Sequence, residues 1–179
     1  MLPIRQDHPL RRYFAGLVDN VFSSGIGVAD PVLTEYLADL LVSFTHVDRF
    51  RAVRDAEGRK LEQIATMLLA ISDETPKDPS DRDRSLYRNI GDYSLFWAGV
   101  YPEQLRNAGR RRTDVLLDYV TQGKRSYAIV SDLTPEDDMF PPALFRHLSD
   151  EFESCLHGLG LVRRGLENRT TTTPGDLVV

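Results

Sequence analysis

Between Leu86 and Glu103 the chain reads Leu-Tyr-Arg-Asn-Ile-Gly-Asp-Tyr-Ser-Leu-Phe-Trp-Ala-Gly-Val-Tyr-Pro-Glu. No other stretch is as dense in aromatic residues, and it holds the only tryptophan, Trp97, beside two glycines and the acid Asp92. At about 100° per residue, Leu86, Ile90, Tyr93, Trp97 and Val100 form one broad stripe. Leu95 and Phe96 lie off it, so apolar side chains wrap the axis, as they do in a helix surrounded by others. Gly91, Ala98 and Gly99 fill the remaining directions. A helical glycine costs about 1 kcal/mol relative to alanine, so close approach of a neighbour is the expected compensation. Gly123, in the apolar stripe of a later helix, is the expected counterpart.

Helical periodicity dominates the flanking sequence. Tyr13, Phe14, Leu17, Val18, Val21 and Phe22 mark a first helix, stopped by Ser23-Ser24-Gly25 and Gly27. Asp30 as N-cap and Pro31 in the first turn start a second, with the stripe Leu33, Tyr36, Leu37, Leu40, Leu41, Phe44 and Val47. Leu61, Ile64, Ala65, Leu68 and Ile71 mark a third, followed by a loop rich in Pro, Asp and Ser from Ser72 to Asp83. Ser80 can cap the central segment, with Asp81 and Asp83 favourable to its dipole. After a basic loop, Arg106 to Arg112, a fifth helix capped by Thr113 carries Leu116, Tyr119, Val120, Gly123, Tyr127 and Val130. A sixth buries Leu144, Phe145, Leu148, Phe152, Cys155, Leu156 and Leu159, with Gly158 or Gly160 ending it. Tyr127-Ala128-Ile129-Val130 is the best strand candidate, but it continues the spacing of the fifth helix. The expected fold is all-α, a single-domain bundle of about six helices around a central buried helix near residues 81–101. The domain would span residues 1–164, with 165–179 a disordered tail rich in Thr, Pro and Gly.

A chain of 179 residues suits one domain and can bury a core without a metal or disulfide staple. Its net charge of −5 and pI of about 5.4 argue against general nucleic-acid binding, although a local basic patch stays open. Cys155 is the only cysteine and falls in an apolar stripe, where a thiol behaves as a small hydrophobe. The N-terminus lacks an apolar leader segment and no stretch approaches a membrane span, so cytoplasm is the expected compartment.

Catalytic signatures are missing. There is no paired Glu-x-x-His of a di-iron bundle and no Gly-x-Ser-x-Gly elbow. Gly25-Ile26-Gly27 is not followed by Lys-Ser/Thr, so it is no phosphate loop. His147 with Glu151 is too small a set for a metal, and no metal or other cofactor is expected. Asp137-Asp138 and Asp150-Glu151 fall where carboxylates are solvated charge. Arg88 and Asp92, four apart, leave two readings. They form a semi-buried pair at the mouth of a ligand pocket lined by Tyr93, Trp97 or Tyr127; or they form a helical ion pair, or an Asp accepting a tyrosine hydroxyl. Arg106, Arg110, Arg111 and Arg112 face Asp132, Glu136, Asp137 and Asp138 from the opposite end of the fifth helix. These clusters are solvated loops, a contact surface for a partner or a second copy, or, for the arginines, a phosphate contact.

The segment Gly91-Asp92-x-x-Leu95-Phe96-x-x-Gly99-x-Tyr101-Pro102-Glu103, with Tyr119-x-x-x-Gly123-x-x-Ser126-Tyr127, resembles a pattern of an uncharacterised bacterial all-helical family. The resemblance covers two helices and agrees with glycine-mediated pairing between them. It implies a bacterial, intracellular origin and carries no catalytic or binding residue. The functional expectation is a non-enzymatic helical protein acting through a protein partner or self-association. The alternative is a small-molecule-binding or enzymatic bundle with a pocket near Arg88, Asp92, Trp97 and Tyr127.

Overall fold

Each apolar stripe becomes a helix face. A computed structural model of the protein describes residues 9–45, 81–107 and 112–171. These residues form α1 (Pro9–Asn20), a π-helical turn (Val21–Ile26), α2 (Pro31–Thr45), α3 (Asp81–Val100), α4 (Pro102–Asn107), α5 (Arg112–Leu133), α6 (Pro142–Asp150) and α7 (Phe152–Thr171). No strand occurs among the described residues, so the chain is all-α. The third helix expected at 61–71 lies outside the described residues, as do Ser80 and most of the loop before α3.

α3 is the centre of the bundle. It packs against α2, α4, α5 and α7, most extensively against α5. From Ile90 to Val100 every residue is buried except the half-buried Tyr93. The apolar ring read from the sequence is therefore covered on all sides. The glycines serve this packing, but not by glycine-to-glycine contact. A Cβ at Gly91 would lie 2.8 Å from Cε1 of Tyr127, and one at Gly99 would lie 3.0 Å from Cβ of Leu159. A Cβ at Gly123 would overlap the Phe152 ring and lie 3.0 Å from Cβ of Ser94. Gly123 thus receives an α7 aromatic ring, where the sequence pairs it with the glycines of α3.

The helix ends follow their capping chemistry. Asp30 Oδ1 accepts the N–H groups of Val32 at 3.0 Å and Leu33 at 3.2 Å, satisfying the first turn of α2. Gly27, at φ 80°, is the stop after the π-helical turn, and its N–H donates to the carbonyl of Phe22. Arg11 clamps α1 to α2 through Asp39 at 2.5 Å and Glu35 at 2.6 Å. Arg163 of α7 donates to the Val100 carbonyl at 2.6 Å, satisfying an acceptor at the C-terminal end of α3.

Four boundaries depart from the sequence expectation, the first being that α5 starts at Arg112, so Thr113 lies in its first turn and does not cap it. Pro102 opens the short α4, so residues 102–107 are helical and Arg106 belongs to a helix. The sixth helix is two, broken at Glu151, whose N–H caps the His147 carbonyl at 2.8 Å. Leu144, Phe145, Leu148, Phe152, Cys155 and Leu159 are buried on both sides of the break. The stripe continues through it, and periodicity alone does not register it. Finally, α7 runs through Gly158, Gly160 and Gly165 to Thr171, so residues 165–171 of the expected tail are helical. Gly158 is interior because its missing side chain admits the ring of Phe22. No described helix is long and apolar enough to cross a membrane.

Candidate functional site

Asp92 projects from α3 into the gap between α2 and α5. Tyr36 of α2 donates to its Oδ1 at 2.5 Å and Tyr127 of α5 donates to the same oxygen at 2.8 Å. Both phenols are buried, at 2% and 0% exposure. Burial, reinforced by the Asp92 charge, pushes both phenol pKa values well above the ordinary tyrosine range. They remain donors at any ordinary pH, as an ionised carboxylate requires. Tyr127 reaches Asp92 because Gly91 leaves room for its ring beside the α3 backbone.

Arg88, one turn earlier on α3, closes the polar cluster on its outer side. Its Nε donates to the Tyr36 hydroxyl at 3.2 Å and lies 4.0 Å from Asp92 Oδ2. The guanidinium carbon sits 4.9 Å from the ring centre of Tyr36, 5.3 Å from Phe140 and 5.6 Å from Phe145, so an aromatic cage holds the cation. Burial disfavours this charge, but Tyr36 and Asp92 outweigh it and leave the guanidinium pKa above its ordinary value. The side chain is 28% exposed, and it opens onto a cleft of about 60 Å³ bordered by Arg84, Ser85, Thr134 and Asp138. Arg84 donates to Asp138 Oδ2 at 2.6 Å, while Asp138 Oδ1 accepts the Phe140 N–H at 3.1 Å. Burial raises the Asp138 pKa, but these two contacts outweigh it and hold the carboxyl below the usual range.

Of the four residues singled out by the sequence, Arg88, Asp92 and Tyr127 meet here and Trp97 does not. Trp97 is 1% exposed and packs on Tyr93, Phe96 and Tyr101 at 6.0, 5.4 and 5.6 Å between ring centres. Five residues along a helix is about 7.5 Å of rise, which separates it from Asp92. Among the described residues Trp97 is thus surrounded by packed rings and stands apart from the Arg88, Asp92 and Tyr127 cluster. The sequence presents Tyr36 only as a member of α2's apolar stripe. A tyrosine in a largely aliphatic stripe needs a partner for its hydroxyl, and that need is the one available clue.

Of the basic cluster, Arg106 lies in α4 and Arg112 begins α5, while Arg110 and Arg111 lie outside the described residues. On the acidic side, Asp132 pairs with Arg146 at 2.6 Å and Asp138 with Arg84, so half of that cluster is neutralised within the molecule. Cys155 is buried, and burial together with Glu151 raises its thiol to about 12. It is a packed thiol, protonated at neutral pH. Among the described residues, no three His, Cys, Asp or Glu side chains gather as a metal site. Compared with known proteins, the chain matches no family model, no curated protein and no solved structure.

Proposed function

We propose that the protein is a non-enzymatic helical binding protein that acts through a protein partner, with a bacterial, cytoplasmic setting carried by the sequence alone. The observation behind this reading is the way Asp92 is tied into the packing. One carboxylate oxygen takes two buried tyrosine hydroxyls, and Arg88 covers the outer side. A carboxylate so held is a structural tie joining α2, α3 and α5. The adjoining cleft, about 60 Å³, falls far below the roughly 300–1,000 Å³ of a metabolite pocket. Recognition at that corner therefore suits a group presented by a larger molecule. Self-association through opposite charge clusters has less support, because Arg84 and Arg146 already occupy two of the acidic residues.

Light scattering over a concentration series at low and high salt separates these modes. The expected result is a monomer that does not self-associate, with an affinity-purified partner whose yield falls when Arg88 is replaced by Gln. A salt-sensitive dimer would instead favour self-association, and a monomer with no partner would defeat the reading. The small-molecule alternative rests on the opening beside Arg88. A thermal-shift screen in which a metabolite stabilises the wild type but not Arg88→Gln would favour it.

A further inference from the structure

Among the described residues, Arg88 holds an unused hydrogen-bonding edge. Its Nε is committed to Tyr36, yet among the described residues no acceptor meets either Nη group. Tyr36, Phe140 and Phe145 hold the guanidinium carbon within 4.9, 5.3 and 5.6 Å of their ring centres. A guanidinium held in this way offers a fork of parallel N–H donors, the geometry that receives a carboxylate through two hydrogen bonds. Ser85, exposed on α3, and Thr134, just after α5, border the cleft, the Thr134 hydroxyl donating to the Val130 carbonyl at 2.6 Å. Met139 stands between the cleft residue Asp138 and the cage residue Phe140. At 73% exposure it is the most exposed large apolar side chain among the described residues. Methionine is adaptable and recurs on peptide-binding surfaces.

We infer that this corner of α3, α5 and the loop before α6 is a socket for a carboxylate side chain of a partner polypeptide, with Met139 contacting an apolar neighbour of that acid. The inference rests on the partner-binding reading above and names the chemistry of the contact. Charge selects among anions. Asp138 borders the cleft and Asp92 lies 4.0 Å from the Arg88 Nε, so a planar monoanion is accommodated where a phosphate dianion meets two carboxylates. The cleft volume, about 60 Å³, admits a carboxylate group and excludes a nucleotide.

The test titrates nitrogen-15-labelled protein with a peptide of alternating glutamate and leucine, with acetate and with inorganic phosphate, following the Arg88 Nε–H resonance. The peptide is expected to shift that resonance saturably and more tightly than acetate, with phosphate weakest. Ser85→Glu places a carboxylate three residues before Arg88 on the same helix face, where it competes for the fork. It is expected to weaken the peptide by about tenfold or more, with an unchanged melting temperature because Ser85 is exposed. Met139→Ser is expected to weaken the peptide and leave acetate unaffected. An unmoved Arg88 resonance, phosphate binding tighter than the peptide, or full peptide affinity in Ser85→Glu each overturns the socket. Partner capture that survives Ser85→Glu and Met139→Ser removes the socket and keeps the partner-binding reading. Failure of capture in the wild type, with a saturable peptide shift, removes that reading and keeps the socket chemistry.

Discussion

Two aromatic assemblies share α3 and differ in what organises them. Toward its middle, Tyr36, Tyr127, Phe140 and Phe145 gather round a buried ion pair that reaches the surface through Arg88. Toward its C-terminal end, Phe44, Phe96, Trp97 and Tyr101 pack ring on ring, with Phe44 stacked on Phe96 at 4.2 Å and 9° between planes. The first assembly is specified by hydrogen-bond geometry, the second by shape. A buried carboxylate with two donors tolerates one arrangement of its neighbours, whereas packed rings tolerate exchange for others of similar volume. The same residue class therefore gives one end of the helix a polar address and the other an apolar wall.

The sharpest way to break this comparison is Asp92→Ala. It strands two buried hydroxyls and an Arg88 cation, with an expected loss of about 3–5 kcal/mol in chemical denaturation. Asp92→Asn keeps the shape, so Trp97 fluorescence should stay native-like under it if the two assemblies are independent. A red-shifted native spectrum would show them coupled. Next in size, Tyr127→Phe should cost about 1–3 kcal/mol by removing a donor from Asp92. The same change at Tyr119, joined to the Trp97 side through Tyr93 at 6.4 Å and with a buried hydroxyl that meets no hydrogen-bond partner among the described residues, should be neutral to within about 0.5 kcal/mol or stabilising. Equal losses at the two positions would erase the distinction between the assemblies.

Gly91→Ala drives a methyl toward a Tyr127 ring tethered by its hydroxyl, and should cost about 1–3 kcal/mol. Gly99→Ala approaches its nearest neighbour, Leu159, less closely, at 3.0 Å against 2.8 Å, and should cost less in the same melts. A further effect depends on pH. The folded Asp138 pKa lies below its unfolded value. Its stabilising contribution is therefore complete above about pH 4 and lost as pH falls through the folded value. Asp138→Asn should thus melt lower than the wild type at neutral pH, by about 1 kcal/mol, with the gap closing as the solution is acidified.

The central helix is legible because its apolar residues encircle the axis, and burial from Ile90 to Val100 follows directly. The start of α2 is legible because Asp30 and Pro31 act locally. The break at Glu151 is not, since one stripe crosses two helices without losing phase. The glycines are legible as places of close approach but not in their partners. Whether Gly123 faces Phe152 or Gly99 depends on how α7 lies over α3 and α5, which is a property of three helices together. At the candidate site, Arg88 and Asp92 announce each other by spacing. Tyr36 comes from 56 positions away, where no periodic pattern points, and Trp97 misleads because an aromatic in the core and one in a pocket read alike.

The ring of Phe22 seated at Gly158 has a kinetic consequence. Most of the described chain lies between those two residues, so their joint closes a large loop whose entropic cost grows only slowly with length. Adjacent helices such as α1 with α2 and α5 with α6 can pair early through short connections. The joint then belongs to the late side of the folding barrier. Crowding it, as Gly158→Ala would, is expected to accelerate unfolding in stopped-flow experiments and leave the refolding rate nearly unchanged.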